Sequence, residues 1–125
     1  MNKIPKSKSK IFGKELILDL GDCNQRLIRS KKKILEYLEK VCKLIKVKKY
    51  GRPIIKRFGL SKNFTLGLSF LQLIECSLIS GHVSEIWNKI FINIFSCKIF
   101  DEKIATNFTK EFFGAKKIKK RALIR

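Results

Sequence analysis

Four polar residues interrupt the most apolar part of the chain, Thr65 to Lys98: Ser69, Ser77, the single histidine His82, and Cys97. Ser77 lies eight residues after Ser69, five before His82 and twenty before Cys97. By type they are hydroxyl groups able to act as nucleophiles, an imidazole able to move a proton near neutral pH, and a thiol. Each alone has an ordinary reading: Ser77 a strand or turn hydroxyl, His82 a turn histidine after Gly81, Cys97 a packed thiol, Ser69 an edge or bulge residue. Their shared stretch makes them candidates for one site.

The elements around them follow from hydropathy patterning. Leu66–Ile74 and Ile90–Phe95 are rich in apolar, β-branched and aromatic residues and read as strands. Gly81 beside His82 is expected to turn the chain between them, and Ser69 and Ser77 share a face if the first strand continues without a bulge. Upstream, Leu16–Leu20 is a strand and Gly21-Asp22-Cys23-Asn24 a turn. Ser30 caps a helix from about Lys31 to Lys48, with Ile34, Leu38, Val41 and Ile45 as its apolar stripe and Glu36 and Glu39 paired with Lys40 and Lys43. Ile54–Phe58 is a short strand. Asp101 caps a helix that runs through Phe113, with Ile104, Phe108 and Phe112 inward, and Gly114 stops it. Ile118–Ile124 closes the chain as a basic strand. The order predicts an α+β two-layer sandwich, an antiparallel sheet with two helices on one face. Residues 1–12 are expected to be a flexible basic tail and 13–125 the single domain.

Charge and cysteine usage bound the function. Twenty-nine Lys and Arg against ten Asp and Glu give a net charge of +19, either a solvated basic face or a phosphate-binding surface. Nucleic acid is the less favoured partner. Cys23, Cys42, Cys76 and Cys97 lack C-x-x-C spacing, and one histidine is too few for an ordinary zinc site, so no metal is expected. The lysine-rich start lacks a signal-peptide core and no apolar run is long enough to span a bilayer. These features point to the cytoplasm, without a membrane role and with reduced thiols.

The central stretch resembles the small prokaryotic S-adenosylmethionine decarboxylases, a pyruvoyl-dependent family. The resemblance rests on Gly67-Leu68-Ser69-Phe70, on Glu75-Cys76-Ser77-Leu78-Ile79-Ser80-Gly81-His82, and on Phe95-Ser96-Cys97-Lys98, in register from Ser69 to Cys97 without a gap. Glu15 to Cys23 fits the family's first strand and Asp101–Arg125 its closing helix and strand. The resemblance implies self-cleavage between Cys76 and Ser77, which converts Ser77 into a pyruvoyl cofactor that holds the substrate amine as a Schiff base. It also implies His82 as the base of that processing, Ser69 as a hydrogen-bonding partner to its intermediate, and Cys97 as the proton donor after decarboxylation. The expected partners are a small cationic amino-acid-type substrate and a second copy of the chain, with sheets face to face in a homodimer or higher homo-oligomer and the active site near the interface.

The sequence departs from the family where the nucleoside is held. The family's T-W-P-E after the histidine is here Val83-Ser84-Glu85-Ile86. Glu85 sits one position early, Trp87 offers a replacement ring after a shift, and Asp19 is a further acidic candidate for substrate contact. Three functions follow: an S-adenosylmethionine decarboxylase of polyamine (spermidine) synthesis, the same machinery acting on arginine or ornithine, and a non-catalytic basic binding protein on the inherited fold.

Overall fold

The structure, a computed structural model, describes residues 10–60 and 63–125. In chain order the elements are β1 (Lys14–Gly21), α1 (Gln25–Ile28), α2 (Lys31–Leu44), β2 (Ile54–Phe58), β3 (Gly67–Ile74), β4 (Ser77–Ser84), β5 (Lys89–Ser96), α3 (Glu102–Phe112) and β6 (Lys117–Ile124). The six strands form one antiparallel sheet in the order β2-β3-β4-β5-β1-β6. The α+β sandwich expected from the sequence is therefore present, with three helices instead of two and six strands instead of five. Of the expected tail, residues 1–9 lie outside the described residues. Phe12 is tied to the other terminus: its amide and that of Gly13 donate to the Arg125 carbonyl, and its ring lies 5.7 Å from that of Phe95.

Alternation along the strands builds the core. Leu16, Leu18 and Leu20 of β1, Leu68, Phe70 and Ile74 of β3, and Ile90, Ile92 and Ile94 of β5 are buried against the helices. From α2 come Ile34, Tyr37, Leu38 and Val41, with Ile45 just past its end, so the expected stripe faces inward. Ser30 caps this helix by accepting the Lys33 amide at 3.1 Å. The helix stops at Leu44, earlier than periodicity suggested, because Lys46 takes a left-handed φ of 62° and turns the chain. Glu36 bonds Lys40 and Lys33, whereas Glu39 pairs with Lys49 from the following loop instead of Lys43.

Helix α3 departs from its expected stripe at one position. Ile104 is exposed, and Ala105 and Thr109 face inward. The buried Thr109 hydroxyl donates to the Ala105 carbonyl at 2.7 Å and so accepts from the Tyr37 hydroxyl at 2.7 Å. Phe108 and Phe112 of the expected stripe pack against the core and lie beside the Tyr37 ring, with centroids 5.9 and 5.6 Å away. Asp101 and Gly114 cap and stop the helix as expected, the glycine at φ 62°.

The principal correction concerns Gly81 and His82. They lie within β4, not in a turn. The chain reverses earlier, at Glu75-Cys76, where Ile74 pairs with Ser77 across a two-residue connection. A glycine is required at 81 for close approach, since a Cβ there would meet the Phe70 ring and come within 2.7 Å of the Phe91 carbonyl oxygen. Gly81→Ala is therefore expected to destabilise the fold by about 1–3 kcal/mol. The effect should appear as a lower urea midpoint at unchanged slope. An unchanged midpoint would show that the Phe70 ring swings aside without cost.

Candidate functional site

Strand register decides which candidates meet. β3 and β4 pair without a bulge from Ser69–His82 to Ile74–Ser77, and β4 and β5 from Leu78–Phe95 to Ser84–Lys89. Partners on neighbouring strands share a face, so Ser77, Ile79, Gly81 and Val83 follow the buried side chains of β3 toward the helices. Ser69 and His82 lie on the opposite, open face.

On that open face one row crosses the sheet: Lys56, Ser69, His82, Phe91, Asp19 and Lys119 are successive partners from β2 to β6. Ser69 and His82 are hydrogen-bonded, Oγ to Nδ1 at 2.6 Å. The other ring nitrogen, Nε2, is 2.7 Å from the Thr65 carbonyl oxygen. A carbonyl can only accept, so Nε2 carries the proton, Nδ1 is the acceptor, and Ser69 donates to it. The pair can thus relay a proton from the serine hydroxyl to the imidazole. It is flanked by an apolar groove of about 160 Å³ lined by Ile54, Phe58, Leu71 and Lys56. Beyond Phe91 lies a cavity of about 210 Å³ lined by Asp19, Lys89, Lys117 and Lys119.

Ser77 and Cys97 form a separate group at the far end of the hairpin. Ser77 opens β4 directly after the turn, and the β4–β5 register, continued past Leu78–Phe95, sets Cys76 opposite Cys97. Those two cysteines are joined as a disulfide with Cα atoms 5.6 Å apart. The expectation of reduced thiols fails for this pair, because directly opposed positions on adjacent strands fall within bridging distance. Cys23 and Cys42 are free and buried, and burial pushes each thiol up to about 11. Five positions of strand take the chain from Ser77 to His82, about 16 Å along β4, and the odd step puts them on alternate faces. Within one chain Ser69 and His82 form a pair on the open face, Cys97 is bridged to Cys76 at the end of the hairpin, and Ser77 lies opposite Ser96 on the helix-facing side.

The substrate candidates are distributed unevenly. Glu85, largely buried, is held by a bidentate ion pair: Arg57 Nε and Nη2 donate to its two carboxylate oxygens at 2.7 and 2.9 Å. Arg57 keeps the Glu85 carboxyl below the usual range, against the burial that raises it. Trp87, in the β4–β5 turn, stacks on Phe64 with ring centroids 4.2 Å apart and planes nearly parallel, and Lys89 reaches its ring at 5.6 Å. Asp19 forms no ion pair or side-chain hydrogen bond among the described residues. Arg57, the Thr65 carbonyl and the cysteine pairing were missed by sequence reasoning. Only the pairing had a readable signal, which required recognising β4. Among the described residues no three metal-ligating side chains gather, and no helix is long and apolar enough to cross a membrane.

A family model described as S-adenosylmethionine decarboxylase matches residues 14–125. No curated protein matches the chain. Among solved structures, the chain is similar to the crystal structure of the adenosylmethionine decarboxylase from Aquifex aeolicus VF5, at 21% identity and a TM-score of 0.76, covering 93% of this chain and 92% of that one. At that identity the likeness speaks for the fold.

The Arg57–Glu85 pair generates a pH-dependent prediction. A lowered folded-state pKa contributes stability that is complete above the unfolded carboxyl value and lost as pH falls through the folded one. Arg57→Met should therefore melt below the wild type near neutral pH. The gap should close in acid, below the ordinary carboxylate range, as Glu85 protonates. Thermal melts across pH would measure it, and a gap independent of pH would mean that packing, not charge, carries the contact.

Proposed function

The chain belongs to the S-adenosylmethionine decarboxylase family, and on that premise we propose that it is a self-processing, pyruvoyl-dependent decarboxylase acting on S-adenosylmethionine. The observation that carries this reading is the position of the Cys76–Ser77 peptide, at the end of the β3–β4 turn with Cys97 directly across on β5. Cutting a turn peptide leaves the ladder from Ser69–His82 to Ile74–Ser77 in place, so the sheet outlives the cut.

In this reading Ser77 Oγ attacks the Cys76 carbonyl carbon and the amide nitrogen leaves as the Ser77 amine, converting the peptide to an ester. Loss of the Ser77 α-proton then expels the Cys76 carboxylate. The dehydroalanine that remains takes up water and releases ammonia, leaving a pyruvoyl group at the head of the downstream chain. That group supplies the electron sink for loss of carbon dioxide from an amino acid. Cys97, as a thiol, returns a proton to the substrate α-carbon.

His82 is about 16 Å from Ser77 in the same chain and on the opposite face of β4, and its Nδ1 is engaged by Ser69, so the processing base that the resemblance implies at His82 does not reach Ser77 within one chain. The open face suits a homodimer: Ile54 and Phe58 are 57% and 58% exposed there, and Leu73 adds to them. For the substrate, the flat Phe64–Trp87 surface suits adenine, and Asp19 is an acid without an ion-pair partner among the described residues. The engaged Glu85 instead favours the second reading, arginine or ornithine as substrate, because the carboxylate that would hold a ribose is taken by Arg57. In the first reading the product supplies aminopropyl groups for polyamine synthesis in the cytoplasm.

The purified, reduced protein should resolve by mass into two fragments divided between Cys76 and Ser77, the downstream one blocked at its amino terminus and reactive toward carbonyl reagents. Ser77→Ala should stay whole. Cys97→Ala should still cleave but decarboxylate about 10²-fold more slowly or worse. Carbon dioxide release should be seen with S-adenosylmethionine; release from arginine or ornithine alone would make the second reading correct.

A further inference from the structure

We propose that the Cys76–Cys97 disulfide is a reversible lock on the processed site. It holds the sulfur of Cys97 in a bond where it has no proton to give, and it keeps the two products of cleavage joined until a dithiol reduces it. The inference rests on the reading of Ser77 and Cys97 given above.

The two cysteines lie on opposite sides of the cleavage point. Cys76 would end the upstream fragment and Cys97 belongs to the downstream one, at a sequence separation of 21. After the chain is cut, this bridge is the only covalent link between the fragments, because the other two cysteines are free. The position also matters chemically. Cys76 Sγ lies 3.5 Å from the buried Ser96 hydroxyl, which accepts the Lys98 amide at 3.0 Å. Ser96 thereby ties the bridge to the end of β5, next to Ser77.

Selectivity follows from burial. Cys23 and Cys42 are 7% and 2% exposed, and burial raises both thiols to about 11, which leaves them protonated and shielded. Cys76 and Cys97 are half-buried, at the open end of the hairpin, where a small thiol can reach them. The exchange balances with a low-molecular-weight disulfide as oxidant: two protein thiols and one RSSR give the bridge and two RSH. A dithiol reverses it, becoming a disulfide itself while Cys76 and Cys97 regain their protons.

The test uses full-length protein isolated without reductant and quenched with a thiol-alkylating reagent under denaturing conditions. Alkylation of two of the four cysteines, Cys23 and Cys42, is expected, rising to all four after dithiol. Cleaved protein should run as one species on a non-reducing gel and as two fragments on a reducing one. Decarboxylation should rise by about 10²-fold on adding dithiol, the range of a missing general acid. Cys76→Ser should abolish that dependence, its rates with and without dithiol being equal whatever their absolute level. A protein that cleaves and turns over with all four thiols alkylated overturns the lock alone. A protein that carries the bridge but never cleaves overturns the decarboxylase reading, and the lock's function with it.

Discussion

The uninterrupted register of β3, β4 and β5 is the constraint on which the rest of the site depends. Because side chains alternate and no bulge resets the phase, a residue's number decides both its face and its row. Ser69 and His82 fall opposite each other and bond directly, while Ser77 and His82, an odd number apart on one strand, cannot approach. The same register sets Cys76 against Cys97. A single inserted residue in β4 would exchange the faces of everything beyond it, separating the Ser69–His82 pair and exposing Ile79 or Val83.

Charge makes a second, independent constraint. With +19 on 125 residues, a cationic substrate gains nothing from the long-range field. Local acids matter more, and most are already engaged: Glu85 with Arg57, Glu102 with Lys14 and Lys120, Glu15 with Arg125, Asp22 with Lys117. Asp19 differs because its strand partners are Phe91 and Lys119, and no ion pair ties its carboxylate among the described residues. Its row is also the row of His82, two strands away, or about 10 Å at ordinary strand spacing.

The hairpin turn joins these themes. A covalent bridge across the end of β4 and β5 strengthens the point at which the main chain would be cut. Backbone ladders on both sides of β4 would make such a cut mechanically harmless, and the bridge would make it topologically silent as well. The sheet could therefore carry a broken peptide at its β3–β4 turn while the core of Leu, Ile and Tyr side chains beneath it stays closed.

Hydropathy alternation and helix caps were enough to identify β1, β2, β3, β5, β6 and the two long helices, because those signals are local. Ser30, Asp101 and Gly114 act within a turn of themselves, and the stripe of Ile34, Leu38 and Val41 needs only helical period. The spacing of Ser69, Ser77, His82 and Cys97 was likewise legible, as was the family it resembles. Strand β4 was not. Its Gly81 imitates a turn, while the real turn at Glu75-Cys76 has no glycine or asparagine to announce it. Whether glycine turns the chain or makes room for a ring depends on Phe70, which only the packed sheet supplies. The contact of Tyr37 with Thr109, 72 positions apart, was hidden in the same way. Pairings of this kind, Arg57 with Glu85 and Cys76 with Cys97 among them, arise from strand order and register, which local composition does not encode.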